Sequence, residues 1–525
     1  DNTMKNNIII TCYTCFLFLF SSCDSFLEEY SQDLTYAKTA ADLDEILIGD
    51  GYMKVSTALI SLGNSDGYYF PWLHVMDDDI AQISTGWSAD GSVFTNFADF
   101  YLWSEYPYMR EGKEVDDVDW KRLYKHINSL NVILSKTGEI NSDLSGEIDR
   151  IKGECYFLRG VYYFYLVNLY AKPYARATAS TDLGVPVKTT EYVEDIYFKR
   201  NTMEETYARI TEDLTEAARL LKGKKHKTVY RAGFHAAHAF LSRVYLYMEQ
   251  YDKSIASADS VLQGKYSLLD YNERFALVQP DSWGTINEGV SVTYKDSPET
   301  IFSQGGNCFE NSLSDMTDMS NFNVSDDLVA MFSKELGNDL RFGSWLGIYK
   351  DPWNAVYKVR KLVDDKDGMV SSECLLRLSE VFLNKAEALA MLSREDEAMN
   401  LIEELRVKRM KQGSYTPLDK RTGEKLVQLV RDERRRELCF EGHRWFDLRR
   451  YAVNSVYPYT KQIIHDYYFY NNTTWTREYL GSYRLNEYGE EPAYVIPIPR
   501  SLIEFNKGNM VDNATRPQRE MFKRF

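Results

Sequence analysis

The stretch FHAAHAFLSRVYLYMEQYDKSIASADSVL, residues 234–262, reads as two helices, Phe234–Met248 and Tyr251–Leu262, with only two residues between them. Apolar or small side chains fall at Leu241, Ser242, Tyr245, Tyr251, Ser254, Ile255 and Ala258. That three- and four-residue spacing gives each helix one face to bury. The small residues among them let the two backbones approach closely. A connection this short forces the second helix to fold back on the first.

The register of these positions follows the tetratricopeptide pattern, and a second pair repeats it. Val381–Leu392 and Glu395–Arg409 place Ala386, Leu389, Ala398, Ile402 and Leu405 in register, with Lys385 where an apolar residue is usual. Further helices are expected upstream. Trp120–Lys136 repeats through Trp120, Leu123, Tyr124, Ile127, Leu130 and Leu134, and Ile151–Tyr170 through Ile151, Cys155, Leu158, Tyr162, Tyr165 and Leu169. Thr202-x-x-Glu205 is a capping box opening a helix through Tyr207, Ile210, Leu214, Ala217 and Leu221. Three or four stacked pairs would share a continuous core.

Composition sets the limits. The chain has 525 residues, enough for two or three ordinary domains or one large helical one. Its 44% hydrophobic and 27% charged residues are those of a folded protein. Lys+Arg is 62 against Asp+Glu 78, a net charge of -16, which repels nucleic acid and anionic lipid surfaces. Tyr 39 exceeds Phe 26 and Trp 9 together. Tyrosine and tryptophan join an apolar face to a polar tip, which suits half-buried surfaces that touch polar ligands, although most are expected in the core.

The N-terminus reads as a targeting segment, residues 1–22. Met4-Lys5-Asn6-Asn7 precedes a mostly apolar run, Ile8 to Phe20, of 13 residues. That run is short for a bilayer-spanning helix and right for a signal-peptide core. Ser21-Ser22-Cys23 follows, so Cys23 is the expected lipidation site of a bacterial lipoprotein. Of the other six cysteines, Cys12 and Cys15 lie in the removed segment. Cys155, Cys308, Cys374 and Cys439 are far apart, without the spacing of a metal cluster. Cys155 and Cys439 fit buried helical positions.

Texture changes between the helix pairs. Residues 265–372 are rich in Gly, Asn, Ser and Asp, with strand-like runs such as Gly289 to Tyr294. Residues 452–525 and 60–115 read as irregular too. The expected organisation is 23–270 with helix pairs, then 271–525, comprising a loop-rich insertion at about 271–372, a helix pair at about 373–451 and an irregular C-terminal part, 452–525. Long loops on a rigid frame are where binding sites lie.

Several chemical motifs dissolve under scrutiny. Gly63-Asn64-Ser65-Asp66-Gly67 matches a nucleophile elbow but lacks the α/β surroundings that motif needs. His235-x-x-His238 lacks the glutamate of a zinc protease, because Ala236 stands there. Asp364-Asp365-Lys366-Asp367-Gly368 fails the EF-hand spacing. Asp77-Asp78-Asp79 reads as acids in a solvated loop, with a structural calcium as the sharper alternative. No phosphate-binding glycine loop is present. No metal, cofactor or catalytic residue is therefore expected, although two facing loop carboxylates would suffice for a glycoside hydrolase.

Arg431 to Tyr451, RDERRRELCFEGHRWFDLRRY, sets seven Arg against five Asp/Glu. Apolar positions run across a break at Gly442. We expect a helix–turn–helix corner tied by arginine–carboxylate pairs. This segment resembles the signature of the SusD/RagB family, surface lipoproteins of Bacteroidetes that bind nutrients, chiefly glycans. Glu154 to Tyr170, Thr202 to Leu221, Glu299-Thr300-Ile301-Phe302, Arg377 to Ala390, and Ile496-Pro497-Ile498-Pro499 with Asn506 resemble further markers of that family, in the same order.

The resemblance implies a mainly α fold: a single SusD-like domain of tetratricopeptide-like helix pairs with an irregular, loop-rich inserted subdomain. It implies a glycan-binding protein without catalysis, lipid-anchored in the outer membrane and exposed at the surface. Its partner would be a TonB-dependent, SusC-like transporter that takes the captured oligosaccharide inward. The rival classes are a glycoside hydrolase and a purely structural or adhesive repeat protein. For glycan contact the tryptophans outside helical patterns are the candidates: Trp87 and Trp103 in the N-terminal stretch, and Trp283, Trp345 and Trp353 in the insertion. Asn96 and Asn307 are candidate hydrogen-bond partners. The competing expectation for each tryptophan is burial in the subdomain core.

Overall fold

The computed structural model describes residues 37–54, 68–82, 93–110, 112–140, 145–275, 291–306, 322–332, 337–350, 355–359, 361, 370–371, 373–471, 473–474 and 476–524. Its principal helices are α1 (Ala40–Ile46), α2 (Val93–Tyr101), α3 (Val118–Lys136), α4 (Ser145–Tyr170), α5 (Met203–Leu221), α6 (Phe234–Tyr247), α7 (Tyr251–Leu262), α8 (Leu378–Met391), α9 (Glu395–Val407), α10 (Gly423–Leu438) and α11 (Arg444–Ala452). The principal strands are β1 (Ile80–Gln82), β2 (Thr300–Ser303), β3 (Phe322–Val324), β4 (Leu346–Lys350), β5 (Ala355–Val359), β6 (Leu375–Arg377), β7 (Ile463–Asn471) and β8 (Thr476–Leu485). The fold is mainly α, as the helical periodicity requires.

α4 is the axis. Phe157 and Leu158 and the whole run Val161–Leu166 are buried, so this helix is covered on every side rather than along one stripe. α5 lies against it. Side chains added at Gly153 and Gly160 would come within 2.6 Å of Leu221 and 2.9 Å of Leu214, so the two glycines set how closely the helices approach. The expected capping box of α5 is present, with Thr202 and Glu205 each accepting from the other's backbone N–H. α3 begins on Asp117, whose carboxylate accepts from the N–H groups of Asp119 and Trp120 and from the Tyr170 hydroxyl at 2.6 Å.

The two helix pairs pack as their spacing predicts. Ser254 donates to the Ser242 carbonyl at 2.8 Å, and Ala258, Ala386 and Ala398 are fully buried. Lys385 is accommodated by reaching Asp259 on α7, 2.5 Å away. α8 sits among α6, α7, α9 and α10 in a compact secondary core. The main apolar core runs from Ala40 to Met510 and draws on both halves of the chain.

The corner at Gly442 is as expected, with α10 and α11 on either side and Gly442 at φ 73. Its charges turn inward. Arg341, Lys361, Arg377, Arg406 and Arg409 meet Glu299, Asp339, Glu433, Glu437 and Glu441, every one of them buried. Burial alone would raise Glu437, but Arg409, Arg377 and Arg341 outweigh it and hold the carboxyl well below the usual range. Because Arg341 and Lys361 come from the insertion, this network joins it to the helical frame.

Three expectations need correction. Residues 291–294 form no strand. Residues 60–115 contain α2 and the 3-10 turn Pro71–Val75. Residues 452–525 contain the longest sheet pairing described, the antiparallel β7–β8 hairpin, whose tip is Asn471–Thr476. Cys155, Cys374 and Cys439 are buried free thiols.

Candidate ligand-binding site

β1 and β3 form a short antiparallel pair in which Gln82 faces Phe322. The segments 83–92 and 307–321 therefore leave the described residues side by side. β3 lies against β5, which pairs antiparallel with β4 so that Lys350 faces Ala355. On the other side the Gln82 side chain clamps the edge of β7. Its Nε2 donates to the Tyr468 carbonyl at 2.8 Å and its Oε1 accepts from the Tyr468 N–H at 2.7 Å. The Tyr101 hydroxyl at the end of α2 closes this junction, accepting from Gln82 N–H and donating to the Asp466 carbonyl.

The sequence candidates divide accordingly. Trp87, Trp283, Trp353, Asn307 and the lipidation site Cys23 lie outside the described residues. Asn96 stands in the first turn of α2, half-buried, and its buried Oδ1 has no hydrogen-bond partner among the described residues. Trp103 and Trp345 are both fully buried, so neither offers an indole face to a sugar. Trp103 stacks on His465 and donates to the Met76 carbonyl at 3.0 Å. Trp345 lies under Lys361, whose ammonium is 4.0 Å from the ring centroid. Both are core residues, because each indole is needed inside to cover a polar or cationic neighbour.

The acid cluster beside β1 also differs from expectation. Asp77, Asp78 and Asp79 are buried, not solvated. Asp78 accepts from Arg444 on both oxygens and from Lys461, and Arg435 binds Asp79 at 2.7 Å. Among the described residues it is the one group of side chains close enough to share a metal ion, but arginine and lysine already neutralise it. Burial would raise Asp78, yet Arg435 and Arg444 hold it well below the usual range. Burial, with Asp79 and Asp78 alongside, pushes Asp77 well above it.

Sequence reasoning missed the aromatic hairpin. Tyr467 and Tyr483 meet across it at 6.3 Å, Tyr468 and Tyr479 at 5.5 Å, and Phe469 is 44% exposed. The signal was present in HDYYFYNNTTWTREYLGSY (465–483), two aromatic-rich runs around an Asn-Asn-Thr-Thr turn.

Comparison with known proteins agrees with this architecture. A family model described as "Starch-binding associating with outer membrane" matches residues 76–246, and the model of the SusD family matches residues 346–515. SusD-like protein P2 of Formosa agariphila is 25% identical over 375 residues, covering 64% of this chain and 72% of that protein. Among solved structures, a SusD superfamily protein of Bacteroides thetaiotaomicron superposes with a TM-score of 0.66 at 21% identity, covering 91% of this chain and 100% of its own. A putative sugar binding protein of Bacteroides vulgatus gives 0.64 at 22% identity, covering 92% and 99%. At these identities the solved structures speak for the fold alone. With two SusD-type models matching residues 76–246 and 346–515 in order, the chain belongs to the SusD/RagB family.

Proposed function

We propose that this protein is a surface lipoprotein that binds a glycan without cleaving it and delivers it to a TonB-dependent outer-membrane transporter. The observation that carries the reading is the match of residues 76–246 to a family described as starch-binding and associated with the outer membrane. The junction of β1, β3 and the β7–β8 hairpin supports it, because the stretch bearing Trp87 departs from Gln82 and the stretch that begins at Asn307 ends beside it, at Phe322. A pyranose ring presents an apolar C–H face and polar edges, so an indole with a nearby amide can hold it. Trp87, Trp283, Trp353 and Asn307 are the residues we propose for that contact, with Asn96 at its border.

Lipidation at Cys23 would tether the protein beside its transporter and raise its local concentration there. No helix among the described residues is long and apolar enough to cross a membrane. Mild detergent extraction followed by pull-down should recover a large β-barrel protein, and Cys23→Ser should release the chain from the membrane fraction. Recovery of this chain alone from cells that express both proteins would contradict delivery. Unchanged membrane retention of the serine variant would contradict the anchor.

A further inference from the structure

His465 on β7 is fully enclosed and sandwiched. The Tyr101 and Trp103 rings each lie 4.1 Å from it, nearly parallel. Its Nδ1 is 2.7 Å from the Tyr101 carbonyl oxygen and its Nε2 is 2.8 Å from the Asp77 carbonyl oxygen. Carbonyl oxygens only accept. A neutral imidazole has one N–H, so one of these contacts would set two lone pairs against each other; only the imidazolium satisfies both. His126 is the contrast. Its ring nitrogens meet the Asp50 carbonyl and the Tyr69 hydroxyl, and a hydroxyl can donate, so the neutral ring suffices there.

The surrounding charge points the same way. The segment before β1 brings Asp77, Asp78 and Asp79, the short helix Asp326–Phe332 brings Asp327, and β7 itself brings Asp466. Against them stand Arg435 of α10, Arg444 of α11, Lys461 before the hairpin and Arg524 near the C-terminus. Nearby His74 and Glu373 pair with each other. Five carboxyl groups thus meet four fixed cations, so one extra proton makes the charges equal, and Asp77, pushed well above the usual range, and His465 are the two groups placed to hold it. Burial is the largest influence on this ring and lowers it to about 4, against the upward pull of the two carbonyls, Asp78 and Asp466. What calls for the second proton is the pair of carbonyl acceptors, neither of which can donate. The flanking rings favour a cation as well.

We propose that His465 is held as an imidazolium in the folded protein and latches the β7–β8 hairpin to α2 and to the segment before β1. Losing that proton gives up one of the two carbonyl bonds and loosens the hairpin. Gln82 clamps the same strand three residues on, at Tyr468, so the latch sets one wall of the junction described above. The inference stands on the geometry alone and does not depend on what the protein binds. An imidazolium kept by these two carbonyls against its burial is bound more tightly in the folded than in the unfolded state, so its contribution is complete below about pH 6.5 and is lost as pH rises through the folded value.

Histidine ring nitrogen NMR on the intact protein tests this. One buried histidine should show both nitrogens protonated at pH 7.5, a signal absent from the His465→Asn variant. A wild-type spectrum in which every buried histidine has a bare nitrogen at that pH overturns the proposal and leaves the extra proton on Asp77. Hydrogen exchange gives a second readout on the wild-type chain, usable even if the variant does not fold. After correction for intrinsic rates, amides of 463–471 should exchange about tenfold faster at pH 9 than at pH 6, with α4 unchanged. Equal protection at both values also overturns it.

Discussion

Trp103 shows how one residue's setting decides its role. At φ 50 it sits in backbone that few non-glycine residues adopt, with its indole closed between His465 and the core. Strain of this kind persists only where the surroundings enforce it. Trp103→Ala should therefore cost about 3–5 kcal/mol of folding stability, the usual range for an aromatic deleted from a core, measured by denaturant unfolding. A change near zero would return Trp103 to the list of ligand contacts. The sequence offered no way to separate it from Trp87, because both stand outside helical periodicity. Burial is set by what other segments place around a side chain, here a histidine more than 360 positions away.

At the level of elements, the repeat spacing was legible because helix pairing is local. α6, α7, α8 and α9 fall within three residues of their expected bounds, and the Gly442 corner appears where the run of apolar positions broke. The β7–β8 hairpin was not read, because tyrosine fits core, strand and ligand surfaces equally well. β1 and β3 are three residues each and pair across 240 positions, which no local pattern reveals. The helix register makes its own prediction. Ala398 is fully buried on α9, facing the core shared with α8. Ala398→Leu should overpack that contact and lower stability by about 1–3 kcal/mol, seen in the same unfolding experiment. Unaltered stability would mean that the pair can part without cost.

Across the whole molecule, buried charge links frame, insertion and C-terminal hairpin, and it makes stability depend on pH. His126 is neutral because burial lowers it to about 4, and burial with Arg243 and Arg434 nearby lowers His443 as well. Their unfolded forms take up protons near pH 6.5 while the folded forms do not, so stability falls as pH drops below that value. Burial opposes ionisation of Glu433, Glu441, Glu387 and Asp447, yet their arginine partners, and Lys361 at Glu441, keep all four below the usual range. Their contribution is present above about pH 4.3 and is lost as pH falls toward the folded values. Thermal melts should therefore show a shallow decline from pH 6.5 and a steeper one below about 4.5. A melting temperature constant from pH 7 to 4 would contradict the buried network as drawn.

The proposed role is capture without cleavage. The direct measurement is binding of the intact protein to an immobilised panel of neutral and acidic oligosaccharides, with release of new reducing ends assayed in the same wells. We predict retention by at least one glycan class with no reducing ends released. Trp87→Ala, Trp283→Ala or Trp353→Ala should weaken it at least about tenfold, roughly 1.4 kcal/mol, with unfolding unchanged. Retention by no glycan, or new reducing ends from the one retained, would contradict it.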